Sequence, residues 1–221
     1  MNLYEKPDFW SQKAHKEGYP ARSVYKLEEI LRKFPMLLPA KRAVVYALDL
    51  GAAPGSWSLY LWRNFTVRLT ACDLNPLDSA ALALAQNKKN NPNTDFTFIQ
   101  GDFCAPDIEA RLMASGPYNL ILSDAAPSTS GNHSLDSLRS HEIAETALRY
   151  AQTCLKEGGG IVIKIFQGAG SAALFAKMRG LFTNVKSFKP QACRANSVET
   201  YFTGIKRLSP FQTLSPDKSN T

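Results

Sequence analysis

Seven short apolar runs, most of them separated by segments of helical pattern, constrain this chain more than any other feature. AVVYALDL, RLTACDL, FTFIQGD, YNLILSDA, GGIVIKIF, NVKSFKP and ETYFTGIKR read as strands. GSWSLYLWRN, SAALALAQNKK, IEARLMAS, LRSHEIAETALRYAQTCLK and SAALFAKMRGLF, lying between them, read as helices. Strands with little polar alternation are buried on both faces, and a helix between two strands brings the second back parallel to the first. The last two runs have no helix between them, which predicts an antiparallel hairpin at one edge. The expected fold is α/β, a seven-stranded, mostly parallel sheet with helices on both faces. Ahead of it, PARSVYKLEEILRKF carries Val24, Leu27, Ile30 and Leu31 at helical spacing, so a helix precedes the first strand.

In such a sheet, ligands bind outside the carboxyl ends of the strands, near the point where strand order reverses. Asp49, Asp73, Asp102 and Asp124 stand at the ends of the first four runs, and Lys164 near the end of the fifth. One acid at a strand end is readily a turn residue or helix cap. Four in register with a lysine are harder to explain that way. Lys164 sits inside IVIKIF, where a charge is costly without partners.

Asp49 to Gly55 spell D-x-G-x-x-x-G at the exit of the first run. Glycines let a ligand approach the backbone closely. The loop is neither G-x-G-x-x-G nor G-x-x-x-x-G-K-[ST], so the residues that cradle a pyrophosphate or a nucleoside triphosphate are missing. Asp73 follows at the usual place for an acid that binds ribose hydroxyls. A ligand with a ribose but no phosphate fits, and S-adenosylmethionine is the commonest. Asp102 then reaches the adenine amino group, and Asp49 is expected to face the ligand's polar end.

Bulk composition narrows the setting. At 221 residues, 44% apolar and 20% charged, the chain suits one soluble globular domain. No apolar run is long enough for a membrane span, and the N-terminus has no signal-peptide pattern. Cys72, Cys104, Cys154 and Cys193 lie far apart, which favours reduced thiols in the cytoplasm over a zinc site. His15, His133 and His141 have no ligand spacing, so no metal is expected. The net charge of +7 favours an acidic partner, with nucleic acid the first candidate. The expected organisation is an N-terminal basic segment over 1–18, one domain over 19–208 and a disordered tail over 209–221.

The stretches LDLGAAPGSWS, ACDLNP, FIQGDF, SDAAPSTSG, EGGGIVIKIFQG, LFTNVKSFKP and CRANSVETYF, in this order, resemble the FtsJ family of ribose 2′-O-methyltransferases. IKIFQG and the R-x-x-S-x-E-x-Y pattern are the pieces that general methyltransferases lack. The resemblance implies a Rossmann-like class I methyltransferase fold, S-adenosylmethionine as cofactor and RNA as substrate. It also implies a Lys-Asp-Lys-Glu tetrad at Lys26, Asp124, Lys164 and Glu199, and cofactor contacts at Gly55, Trp57, Asp73, Asp102 and Asp124. Lys164 is then the general base. Burial and the charge of Lys26 favour its neutral amine, whereas Asp124 and Glu199 favour the charged form. Ser56 departs from the family, which often has glycine there.

A compact chain of this family is expected to be a cytoplasmic monomer that methylates a uridine of large-subunit ribosomal RNA, free or in the ribosomal subunit. Transfer RNA, an mRNA cap and a non-catalytic role in ribosome assembly are the alternatives. Lys13, Lys16, Arg22, Lys26, Arg32, Lys33, Lys41 and Arg42, with Arg194, Lys206 and Arg207, are expected to form one basic face around the cleft. Tyr19 and Tyr25 are candidates for stacking on a splayed base, Tyr25 being the better placed. Trp57, Trp10 and Trp62 are expected to pack.

Overall fold

The computed structural model describes residues 8–40, 43–86, 94–194 and 196–209. Seven strands form one sheet: β1 (Val45–Leu50), β2 (Val67–Asp73), β3 (Asp95–Gln100), β4 (Tyr118–Ser123), β5 (Leu155–Phe166), β6 (Phe182–Phe188) and β7 (Glu199–Arg207). Their order is β3-β2-β1-β4-β5-β7-β6. Neighbours from β3 to β5 are parallel, while β7 runs antiparallel to both β5 and β6. The expected hairpin is present, but its second strand is threaded inward, between β5 and the edge strand β6. Strand order reverses between β1 and β4, which fixes the ligand-binding crevice at the carboxyl ends of those two strands.

The helices are α1 (Phe9–Lys16), α2 (Val24–Lys33), α3 (Ser56–Asn64), α4 (Ser79–Gln86), α5 (Pro106–Ala114), α6 (His133–Cys154) and α7 (Ser171–Arg179). Side chains alternate across each strand, so the sheet builds two cores. On one face Ala47, Leu69, Leu122, Val162 and Tyr201 pack with α2, α3 and the short 3-10 turn Pro35–Leu37. On the other, Leu48, Ile121, Ile163 and Ile165 pack with α5, α6 and α7. The near-complete burial of β1, β4 and β5 is what their uninterrupted apolar runs predict.

The α1 helix is absent from the sequence-based expectation. Its sequence FWSQKAHK has no apolar stripe, and Ala14 is its one buried residue. It is held by its cap, where Asp8 accepts from the Ser11 amide at 2.8 Å, and by Trp10 packing on Tyr25. The helix predicted from Pro20 begins four residues later, after a turn. Residues 210–221 of the expected tail, residues 1–7 of the expected basic segment and the end of one predicted helix, at 87–89, fall outside the described residues. Among the described residues, no helix is long and apolar enough to cross a membrane.

Candidate active site

The exit of β1 is shaped by close approach. Gly51 has φ +73°, and a Cβ there would lie 2.6 Å from the Cα of Ala125, just beyond β4. Gly55 has φ +109°, and a Cβ there would meet Ala81 of α4 at 2.4 Å. Both positions demand glycine, by conformation and by space. The two loops are thereby drawn together over the switch point, beside a cleft of about 580 Å³.

Asp73, Asp102, Asp124 and Lys164 line this cleft, together with Gly51 and Ser23. Asp73 accepts the Ala53 amide at 2.9 Å with one oxygen and the Asn75 amide at 2.8 Å with the other. It therefore braces the glycine loop as well as facing the cleft. Asp102 accepts the Cys104 amide at 2.8 Å. Three carboxylates and a Cβ-free loop in one cleft suit a ligand rich in hydroxyl and amino donors, such as the nucleoside and amino-acid parts of S-adenosylmethionine.

Two of the expected cofactor residues stand behind this surface. Gly55 packs on α4, and Trp57 is 2% exposed, donating Nε1 to the Ser23 carbonyl at 2.8 Å and lying 5.9 Å from the Tyr201 ring. Both shape the loop and keep off the lining. Ser56 uses its departure from the family residue: its Oγ accepts from the Ala21 amide at 2.8 Å and so ties α3 to the entry of α2. Asp49 is also displaced from its expected place. It is fully buried, accepts from Ser58 Oγ at 2.7 Å and leaves Oδ1 without a partner. Burial pushes its carboxyl up to about 7, against the pull of the Ser58 hydrogen bond.

The four tetrad residues come from four elements and meet at one place. Lys26 is in the first turn of α2, Asp124 follows β4, Lys164 is in β5, and Glu199 opens β7. Because β7 is antiparallel, its first residue lies at the carboxyl edge where the parallel strands end. Within β5, Ile163 and Ile165 pack on the α6 side, so Lys164 faces the side of Val162, where α2 brings Lys26. Lys164 Nζ lies 3.0 Å from Asp124 Oδ1 and also donates to the Asp124 main-chain oxygen. Lys26 Nζ lies 2.7 Å from Glu199 Oε1. Both lysines are 8% exposed, so each charge is compensated by its partner rather than by water.

Tyr201 belongs to the same constellation. It pairs with Lys164 across β5 and β7, shares the face of Glu199 two residues earlier, and donates its hydroxyl to Asp124 at 2.7 Å. The Y of R-x-x-S-x-E-x-Y was the available signal, since residues two apart in a strand share a face. Burial, then Asp124 and Glu199, raise its phenol well above the ordinary value, so it stays a donor. Burial pushes Asp124 up, but Lys164, Lys26 and Tyr201 outweigh it and hold that carboxyl below its ordinary value.

Glu29 gave no sequence signal at all. One turn after Lys26, its carboxylate accepts the Gln191 and Ala192 amides at 2.8 and 3.0 Å. It clamps the segment that leads into Glu199.

The expected basic face is broken up by the fold. Arg22 is partly buried, paired with Asp8, donates to the Ala192 carbonyl, and lies near Arg194. Lys26 is committed to the tetrad. Lys206 and Arg207 end β7, roughly 25 Å from Glu199 along the strand, at the far edge of the sheet. Arg32 and Lys33 end α2, whose following turn packs Leu37 on Gly160 toward that same far edge. Lys41 and Arg42 lie outside the described residues. Tyr25 is 1% exposed with its hydroxyl on Glu17 at 2.9 Å, so it is closed to a base. Tyr19 is half-buried under Arg63.

The family described as FtsJ-like methyltransferase matches residues 19–207. A ribosomal RNA large subunit methyltransferase E of Treponema denticola is 45% identical over 206 residues, covering 92% of this chain and 96% of that protein. Its namesake in Sorangium cellulosum is 39% identical, covering 96% and 93%. Among solved structures, a ribosomal RNA methyltransferase from Plasmodium falciparum superposes with TM-score 0.63 at 24% identity, over 86% of this chain and 99% of that one. Fibrillarin of Aeropyrum pernix superposes at 0.57 and 18%, over 83% and 76%. The structural likenesses speak for the fold. The family match spans the entry of α2 to the last residue of β7, the whole frame that gathers the four charges, and the chain belongs to the FtsJ-like methyltransferase family.

Proposed function

We propose that the chain transfers the methyl group of S-adenosylmethionine to a ribose 2′-hydroxyl of large-subunit ribosomal RNA, at a uridine. The observation that carries this reading is the two ion pairs, Lys164–Asp124 and Lys26–Glu199, at the cleft beside the switch point. The names of the relatives support the substrate class. In this reading the protein acts in the cytoplasm as a monomer.

When bound, the cofactor supplies an electrophilic methyl carbon on a sulfonium. Asp73 and Asp102 would hold its ribose and adenine, Asp124 would take part in holding it from the Lys164 side of the cleft, and Gly55 and Trp57 set the shape of the loop from behind. A ribose hydroxyl does not ionise at neutral pH, so its proton has to pass to a base. Lys164 Nζ, as the neutral amine, takes that proton. Asp124 fixes the direction of this nitrogen through Oδ1 and its main-chain oxygen, and Tyr201 fixes Asp124. Lys26, held by Glu199, hydrogen-bonds the hydroxyl oxygen. Alignment of the reacting atoms supplies much of the acceleration.

The test is transfer of radiolabelled methyl from S-adenosylmethionine to large ribosomal subunits, naked ribosomal RNA and bulk transfer RNA, with Lys164→Ala alongside. Label on the large subunit or its RNA, lost in Lys164→Ala while cofactor affinity stays within a few fold, supports the reading. Label on transfer RNA alone overturns the substrate, turnover by Lys164→Ala overturns the base, and no label on any RNA overturns the activity.

A further inference from the structure

A second hollow, of about 230 Å³, opens next to the tetrad and is lined by Thr129, His133, Asp136, Phe166 and the segment Asn196–Val198. Its place follows from register. Phe166 pairs with Glu199 as Lys164 pairs with Tyr201, and residues two apart in a strand share a face, so Phe166 stands one pleat beyond Lys164. Val198 is the neighbour of Glu199 in the chain. The hollow thus begins where the cofactor cleft stops, with Glu199 beside it.

The chemistry of a nucleotide says what belongs there. The base is bonded to C1′, next to the carbon that carries the 2′-hydroxyl. A hydroxyl held at Lys164 therefore has its base within one ring-width, and the cleft side is taken by the methyl donor. The hollow, less than half the volume of the cleft, has room for one planar ring. Phe166 and Val198 offer apolar faces, and Val198 is 39% exposed. Asn196 offers both a donor and an acceptor to a base edge.

The charge in the hollow argues against a phosphate. Asp136 accepts the Ser130 amide and hydroxyl, both at 2.8 Å, which hold its carboxyl below the ordinary value and hence anionic. An anionic wall repels the RNA backbone and admits a neutral base. The opposite rim is braced in advance. Lys189 donates to the Ser197 carbonyl at 2.6 Å, the Glu199 amide to Ser197 Oγ at 3.2 Å, and the Gln167 amide to the Val198 carbonyl at 3.0 Å.

We propose that this hollow receives the base of the nucleotide being methylated, with Asn196 on its edge and Phe166 and Val198 against its faces. The proposal rests on the RNA methylation reading above. The experiment measures steady-state methyl transfer by Asn196→Ala, Val198→Ser and wild type on the RNA that wild type labels, with cofactor affinity and thermal midpoint measured in parallel. Each variant is expected to lose about five- to tenfold in kcat/KM, mainly through KM, with cofactor affinity and midpoint unchanged. In RNA whose methylated nucleotide carries a different base, wild type slows but Asn196→Ala slows no further, because the contact is already gone. Variants within twofold of wild type, or losses that simply add to the base change, overturn the subsite. A wild-type chain that labels no RNA overturns the methylation reading, and the subsite with it.

Discussion

Tyr201 and Lys164 converge on a single oxygen, Asp124 Oδ1, at 2.7 and 3.0 Å. A phenol hydroxyl and a lysine nitrogen thus share one acceptor, with Lys164 only 8% exposed. The carboxylate that holds Lys164 is itself held by a phenol that burial, Asp124 and Glu199 raise well above its ordinary value.

Removing that hydroxyl has a defined signature. Tyr201→Phe keeps the ring beside Trp57 and deletes the donor to Asp124. The turnover number is expected to fall about three- to tenfold, with cofactor affinity little changed. Losing one hydrogen bond to the charged form raises the Asp124 pKa. Turnover within twofold of wild type would show that Tyr201 is only packing.

The Lys26–Glu199 pair predicts a difference between stability and activity. Lys26→Met leaves a mostly buried Glu199 without its cation, at a cost of about 2–4 kcal/mol. Adding Glu199→Gln removes the stranded charge and restores most of that stability, without restoring methyl transfer. Denaturant unfolding of the two single variants and the double variant checks the first part, and label transfer the second.

Glu29 is expected to act at a distance through the chain it clamps. Glu29→Ala strands two backbone N–H groups, costing about 2–4 kcal/mol. It also loosens the segment bearing Glu199, so turnover falls while cofactor affinity holds. Glu29→Gln keeps one acceptor and lies between. Equal losses of turnover and cofactor affinity would show general disruption instead.

Asp49 predicts a pH dependence of folding. Its folded value, about 7, lies above the ordinary carboxylate value. A raised acid costs nothing below its unfolded pKa. The penalty grows as pH rises from about 4 to about 7 and is constant above that. Asp49→Asn does not titrate. Its stability relative to wild type is therefore expected to improve by on the order of 2 kcal/mol between pH 5 and pH 8. Unfolding free energies at the two pH values, without cofactor, check the sign. A difference independent of pH would place the ionisation elsewhere.

The architecture was legible because burial on two faces leaves an uninterrupted apolar run, and β1, β4 and β5 each have one. Asp73, Asp102, Asp124 and Lys164 were legible as strand ends, since a parallel sheet presents those ends along one edge. Direction and depth were not legible. Asp49 has the same strand-end signature as Asp73, but it faces α3 and finds Ser58 instead of the cleft. Tyr25 sits among charges in the sequence and against Trp10 in the fold. Lys206 and Arg207 were grouped with the cleft by charge alone, and the antiparallel course of β7 carries them to the opposite edge. Glu29 and its partner amides are 162 and 163 residues apart, beyond any local pattern.

The threading of β7 between β5 and β6 also sets an order of completion. The cleft is lined by residues no later in the chain than Lys164. Lys26, among the earlier described residues, waits for Glu199, and Asp124 waits for Tyr201, both on β7, the last strand among the described residues. A growing chain can therefore wall its cleft before it owns a complete set of charges beside it. The set of charges at that edge is completed only when β7 has been inserted, so an unfinished molecule holds one cation, Lys26, and one carboxylate, Asp124, still short of their β7 partners.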